Sequence, residues 1–335
     1  MVTTAIFVGA IFAVCSVSAV LNLKVKVFKL RLDLYYLVAL FGAALLIAFK
    51  FISPAEAIKG LTLKASVNPL KILALFFSMT FISVYLDEAG LFRMLAVKAL
   101  KSSGGSQFKI ITVLYVLTSV LTVFTSNDII VLTFTPFICT FCKHSKVNPV
   151  PYLFTEFVAA NTFSMALIIG NPTNIYLASF AGIDFFRYIK VMILPTLAAG
   201  LTAYAVILLV FKKSLSKKIE SDGYDEPLKD KTATVVGISV LFVAVVLLSV
   251  SNLINVEMYL VSLILACVLL VFAIINATFK KDKSASVTGA LIRLPYSLAP
   301  FLCSMFICVL ALDSSGFAGF LAQKLSGSPV IFFGV

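Results

Sequence analysis

Apolar residues fill the chain in long blocks separated by short polar clusters, and this pattern predicts helices that cross a membrane. Blocks at about 3–21, 34–52 and 70–86 are each close to the roughly 20 residues that span hydrocarbon as a helix. An amphipathic stretch, EAGLFRMLAVKALKSSGG, follows and is expected to lie along the membrane surface. Apolar runs at 108–124 and 129–142 come next, separated by TSND. Then come a run at 152–169 that ends at GNPTN, a short run at 175–181 and a full span at 191–211. The polar segment KKSLSKKIESDGYDEPLKDK divides these from spans at about 232–250, 258–277 and 291–312. The runs lack the alternation of barrel strands. The expected fold class is an all-α polytopic membrane protein.

Composition agrees. Hydrophobic residues make up 61% of the 335-residue chain and charged residues 13%, about half the charge of a soluble domain. The net charge of +12 comes from lysines and arginines in short loops between spans, where positive charge marks the cytoplasmic side. No basic stripe interleaves with aromatics on a soluble face, so the charge does not indicate a nucleic-acid partner. The first block matches a signal peptide in length but has no basic region before it, and is read as the first span. The six cysteines lie in apolar blocks. Cys139 and Cys142 form a CxxC with no second pair and no matching histidine, so they read as small buried residues. His144, in KHSK, reads as solvated.

Two pairs of segments match at a nearly constant distance. FSMTFISVYLDEAGLF from Phe77 and CSMFICVLALDSSGFA from Cys303 are 226 residues apart and align Ser78 with Ser304, Asp87 with Asp313 and Gly90 with Gly316. YLVALFGAALLIAF from Tyr36 matches YLVSLILACVLLVF from Tyr259, 223 residues on. Loop charge gives the copies opposite directions. Lys24, Lys26, Lys29 and Arg31 place the first loop in the cytoplasm, whereas its counterpart SNLINVE holds no lysine or arginine. Inverted repeats of this kind mark many secondary transporters. They require an odd number of crossings in the first copy, which makes 108–142 a re-entrant hairpin. Residues 1–211 then form the first inverted repeat, with scaffold spans, the hairpin 108–142 and a broken helix 152–181. Residues 212–231 are a cytoplasmic linker, and 232–335 begin the second repeat.

The hairpin turns at Ser126, Asn127 and Asp128, which puts polar backbone and side chains at mid-membrane depth. Such backbone is tolerated only inside protein or beside a water-filled cavity. Gly170, Asn171, Pro172, Thr173 and Asn174 break the next helix, because proline lacks a donor and crowds the preceding turn. Half-helix ends facing the gap suit ions: N-terminal ends an anion, freed carbonyls a cation. Asn127 alone could equally be interhelical glue, but a carboxylate in the membrane, such as Asp128, is usually functional. Asp87 and Glu88 lie at a helix end beside Gly90 and read as capping or interfacial. Glu156, near the start of its helix, reads as complementing the helix dipole.

The segments FISVYLDEAGLF, FTSNDIIVLTFTP and EFVAANTFSMALIIGNPTNIYLASFAGIDFFRYIKVMILP resemble the arsenite/antimonite permease family of the ion transporter superfamily. The superfamily also includes citrate–metal carriers, sodium/proton antiporters and sodium-coupled dicarboxylate carriers. The resemblance implies a scaffold and a mobile transport domain, with Ser126, Asn127, Asp128 and Gly170 to Asn174 lining the substrate and ion sites. The function it implies is secondary transport in the plasma membrane, not catalysis. The leading substrate class is an arsenite- or antimonite-like oxyanion or oxyacid exported against protons. Asp128 would be the proton- or cation-sensitive group, and Asn127, Asn171 and Asn174 would hydrogen-bond the substrate. The alternatives are symport of a citrate-like di- or tricarboxylate with a cation, and Na+/H+ antiport. No G-x-x-x-x-G-K-[ST] loop is present, so coupling would come from a gradient of H+ or Na+, or from a separate ATPase subunit. No cofactor is expected, and a homodimer is expected by analogy. Superfamily members carry a second hairpin and a second broken helix. At the repeat distance these would fall beyond Val335, so a truncated carrier, even an inactive fragment, is also expected.

Overall fold

The computed structural model describes residues 1–27, 30–62, 68–102, 104–125, 127–216, 230–251, 254–279, 287–317, 319–320 and 323. Two compact units emerge, one from residues 1–70 and 295–335, the other from residues 71–294.

In the first unit, α1 (Val2–Val20) leads into a short antiparallel hairpin of β1 (Lys24–Val27) and β2 (Leu30–Asp33). The sequence reading has only a basic loop here. KVKV and LRLD alternate charged and apolar positions, which is the period of a strand. Next come α2 (Leu34–Ala48) and α3 (Pro54–Thr62), and the unit is completed by α14 (Leu298–Ser314). Helices α1, α2 and α14 close around Val8, Ile11, Cys15, Ala39, Leu46, Cys308 and Ala311. The Tyr35 hydroxyl donates to Ser297 Oγ at 2.9 Å, and its ring meets Phe301 edge-on at 5.3 Å.

The second unit opens with α4 (Pro69–Glu88), α5 (Leu91–Ser102), α6 (Gln107–Phe124) and α7 (Asn127–His144). It continues with α8 (Val150–Phe163), a 3-10 turn at Ile168–Gly170, α9 (Pro172–Phe180) and α10 (Phe185–Leu215). It ends with α11 (Lys231–Val250), α12 (Met258–Phe279) and α13 (Val287–Ile292). Helix α10 starts six residues before the predicted 191, because Asp184 caps it: Oδ1 accepts the Arg187 N–H at 2.8 Å. The predicted span 291–312 is instead interrupted between α13 and α14, where Pro295 cannot continue a helix.

Burial sorts the helices. The most apolar stretch of α4 is 78% buried, against 17% for α10 and 28% for α12. Helix α4 is thus enclosed by protein, while α10, α11 and α12 keep apolar flanks such as Leu201, Leu209, Phe242 and Val268 exposed, as lipid-facing helices do. Helix α4 lies against α11, whose Gly237 has no room for a Cβ beside Leu86: one would fall 2.6 Å from that side chain. It also meets the start of α12, where Lys71 pairs with Glu257 and stands over the Tyr259 ring. At the repeat distance α4 corresponds to α14 and α2 to α12. Helix α14 packs on α1 and α2, as α4 does on α11 and the start of α12. Six described helices are long and apolar enough to cross a membrane. The chain is an all-α, multi-pass membrane protein, with one small β-hairpin in its first loop.

Candidate functional site

The site grows from the end of α6. Thr125 leaves the helical conformation, its hydroxyl donating back to Leu121 O at 2.7 Å, and α7 begins at Asn127. Ser126 lies outside the described residues, and so does the side chain of Asp128. Asn127 is buried at 7% exposure. Its Nδ2 donates to Asn161 Oδ1 on α8 at 3.2 Å. Its Oδ1 is buried with no partner among the described residues, and the same is true of the Thr118 and Thr122 hydroxyls. Those two threonines are four apart on α6 and share a face that leads up to the turn. A buried acceptor without a donor costs about 1–3 kcal/mol, a cost that a bound donor removes.

The opposite wall is the break between α8 and α9. The chain leaves α8 after Phe163, makes one 3-10 turn, extends at Asn171 and re-enters a helix at Pro172. Pro172 stands at the first helical position, where its missing N–H costs nothing. Asn171 Oδ1 accepts the Thr173 N–H at 2.9 Å and caps the new helix. Gly170 is required by space: a Cβ there would lie 2.3 Å from the Ser164 carbonyl oxygen. Unwinding frees carbonyls, and Asn174 Nδ2 donates to two of them, Ser164 O at 2.7 Å and Leu167 O at 3.1 Å.

The structure joins the two walls through residues that the motifs do not single out. Asn161 receives Asn127 and donates from Nδ2 to Phe157 O at 2.8 Å, while its own carbonyl accepts the Ser164 hydroxyl at 2.9 Å. Asn127, Asn161, Ser164 and Asn174 therefore form one continuous polar chain. Both Nδ2 donors of Asn174 are engaged with backbone, and Asn171 and Thr173 hold the start of α9. Asn127 Oδ1 is the acceptor of this network that has no partner among the described residues. An amide one turn before the break was the available signal for Asn161.

Further along α7, two threonines reach other helices. The Thr133 hydroxyl donates to Asp87 Oδ2 at 2.9 Å. Arg293, just past α13, pairs with Asp87 at 2.6 Å and with Glu88 at 2.8 Å. Asp87 and Glu88 are thus ion-paired, a role that capping at a helix end does not describe. Nothing local signals it, since Arg293 lies 205 residues from Glu88. The Thr135 hydroxyl donates to Glu156, at 3.1 Å to Oε2 and 3.3 Å to Oε1. Among the described residues no three His, Cys, Asp or Glu side chains converge as a metal site.

Comparison with known proteins agrees with this architecture. A model of the citrate transporter family, CitMHS, matches residues 34–335. Over 260 residues the chain is 25% identical to the arsenical pump membrane protein of Escherichia coli K12, covering 76% of this chain and 59% of that protein. It is 32% identical over 172 residues to the silicon efflux transporter LSI3 of rice, Oryza sativa subsp. japonica, covering 51% of this chain and 33% of that protein. A Dictyostelium discoideum protein carrying the name arsB is 29% identical over 180 residues, covering 53% of this chain and 30% of that protein. The chain thus spans from under a third to just over half the length of these relatives.

Proposed function

Because the chain belongs to the citrate transporter family, we propose that it is a secondary carrier of a small hydroxylated oxyacid, of the arsenite type, exported in exchange for protons. One observation carries the substrate class: the buried Oδ1 of Asn127 at the α6–α7 turn, which like the Thr118 and Thr122 hydroxyls of α6 has no partner among the described residues. An acceptor in that position calls for a ligand that donates. Arsenious and silicic acids are neutral at pH 7 and carry several O–H groups. The names of the Escherichia coli and rice relatives, arsenical pump and silicon efflux transporter, point to this same chemistry. A citrate carboxylate has no proton to give such an acceptor, and citrate offers only its single hydroxyl, against several on the oxyacids. The N-terminal ends of α7 and α9, which favour negative charge, support the second reading, symport of a citrate-like carboxylate with a cation.

Mechanistically, substrate would dock against Asn127, with Asn161 and Ser164 relaying the change to the break held by Asn174. The packing of α4 and α14 supports an inverted-repeat scaffold around a moving hairpin. Asp128 remains the proposed cation- or proton-sensitive group at the turn. Na+ in place of H+, a homodimer and a separate ATPase subunit are the further options for the whole protein. The test is flux in proteoliposomes under an imposed pH gradient, with arsenite and citrate offered in turn, for wild type and Asp128→Asn. Arsenite flux lost in Asp128→Asn is the expected result. Citrate flux without arsenite flux moves the chain to the second reading.

A further inference from the structure

Glu156 is a buried carboxylate that the substrate network does not use. It lies on α8 at 1% exposure, and its one described hydrogen-bond partner is the Thr135 hydroxyl of α7. We infer that Glu156 is the proton-binding site of the coupling step, with Thr135 as its partner. The inference rests on the proton-coupled reading above and places the coupling proton on Glu156, leaving Asp128 as the cation-sensitive group of the substrate turn.

Two facts support the assignment. First, no cation among the described residues pairs with the carboxylate. Helices α6, α7 and α10 pack on α8. The described uncharged titratable groups on these helices are Tyr115, Cys139, Cys142, Tyr188 and Tyr204, with Tyr152 on α8 itself, and none of them is hydrogen-bonded to Glu156. Phenols and thiols are ordinarily neutral at pH 7. Tyr115 is committed to Gly200 O at 2.6 Å and Tyr152 to Gln107 Oε1 at 2.9 Å. Lys109, Lys143, Arg187, Lys190, Lys212 and Lys213 on these neighbours are exposed, and none forms an ion pair with Glu156. A lone ionised carboxylate between apolar helices is expensive, whereas the neutral acid is not. A hydroxyl suits both states: it donates to the carboxylate, and it accepts from the carboxylic O–H while turning its own proton to a carbonyl one turn back.

Second, the position links proton and substrate. Helices α7 and α8 are bridged twice, by Asn127 with Asn161 and by Thr135 with Glu156. Thr135 is eight residues along α7 from Asn127, about 12 Å of helix rise, and Glu156 is five residues along α8 from Asn161, about 7.5 Å. A proton gained at one bridge lets the helices close over a neutral group. A proton lost there requires water, and hence a parted interface that strains the other bridge. The balance is simple: carboxylate plus a proton from water gives the acid on one side of the membrane, and the acid returns that proton to water on the other.

The experiment compares two arsenite fluxes in proteoliposomes, accumulation driven by a pH gradient and exchange with arsenite on both sides and no gradient. Glu156→Gln is expected to lose gradient-driven accumulation at least tenfold while retaining measurable exchange that no longer varies with pH. Glu156→Asp should restore part of the accumulation. Gradient-driven accumulation at the wild-type level in Glu156→Gln overturns the inference and leaves the proton-coupled reading intact. Wild-type arsenite flux indifferent to the gradient overturns both. Should Glu156→Gln fail to fold, infrared difference spectra of wild type and Thr135→Val decide. A protonated-carboxyl band that changes on adding arsenite and shifts in Thr135→Val is expected, and no such band overturns the inference.

Discussion

Asn127, Gly170 and Asn174 are all polar or small residues at a membrane-depth break, yet they do different things. Gly170 makes room for the Ser164 carbonyl, so Gly170→Ala would force backbone apart. Its expected effect is a clear fall in the melting temperature of the detergent-solubilised protein. Gly9→Ala, at a position with open space around it, should be neutral or slightly stabilising by up to about 1 kcal/mol. Asn174 donates to two carbonyls, so Asn174→Asp would set a carboxylate against both. A loss of about 2–4 kcal/mol is expected, readable in the same melting assay. Asn127 should behave in the opposite way. Asn127→Leu removes a buried acceptor with no partner among the described residues and gives up one long hydrogen bond, so stability should change by no more than about 1 kcal/mol while arsenite flux is lost. Unfolding of Asn127→Leu would make that residue structural.

Helix α7 is the element on which the molecule's polar contacts converge. Along one helix it presents Asn127 to Asn161, Thr133 to Asp87 and Thr135 to Glu156. Arg293 ties the second of these to the region after α13, and the interruption at Pro295 is what leaves Arg293 at a helix end, able to turn toward α4. Arg293→Ala would leave Asp87 buried without its cation. A cost of about 2–3 kcal/mol is expected, below that of a fully buried pair because the Arg293 side chain is 34% exposed. Adding Glu88→Gln to Arg293→Ala should cost less than the sum of the two single changes, since they remove one shared ion pair. Strict additivity in thermal melts would show that the pair contributes nothing.

At the scale of the whole molecule, the division between enclosed and lipid-facing helices is testable with native cysteines. Cys267 is exposed on α12, the helix with the highest mean hydropathy, and Cys142 is buried on α7. In a bilayer, both Cys267 and Cys142 should resist a charged maleimide until the protein is denatured, because a thiol must ionise in water to react. Reaction of Cys267 with the charged reagent would place α12 beside water. Helix α14 packs on α1 and α2, and α4 on α11.

The sequence by itself determined that this is a multi-pass helical membrane protein of a transporter family. Hydrocarbon demands about 20 apolar residues per crossing, and that demand is written in composition and block length. Breakers announce themselves too, so Asn127 and Gly170 to Asn174 were legible as a turn and a gap. Strand alternation in KVKV and LRLD was also present, but it was overshadowed by its basic charge. The tertiary structure alone decided how these residues are used. It made Asn174 and Asn171 holders of backbone and left Asn127 Oδ1 as the open acceptor. It recruited Asn161 as the link, paired Arg293 with Asp87 and Glu88, and enclosed Glu156 with a single hydroxyl. The reason is physical: whether a polar side chain in a membrane is glue or site depends on whether its donors and acceptors are already matched. That matching is made by helices distant in sequence, and no local pattern encodes it.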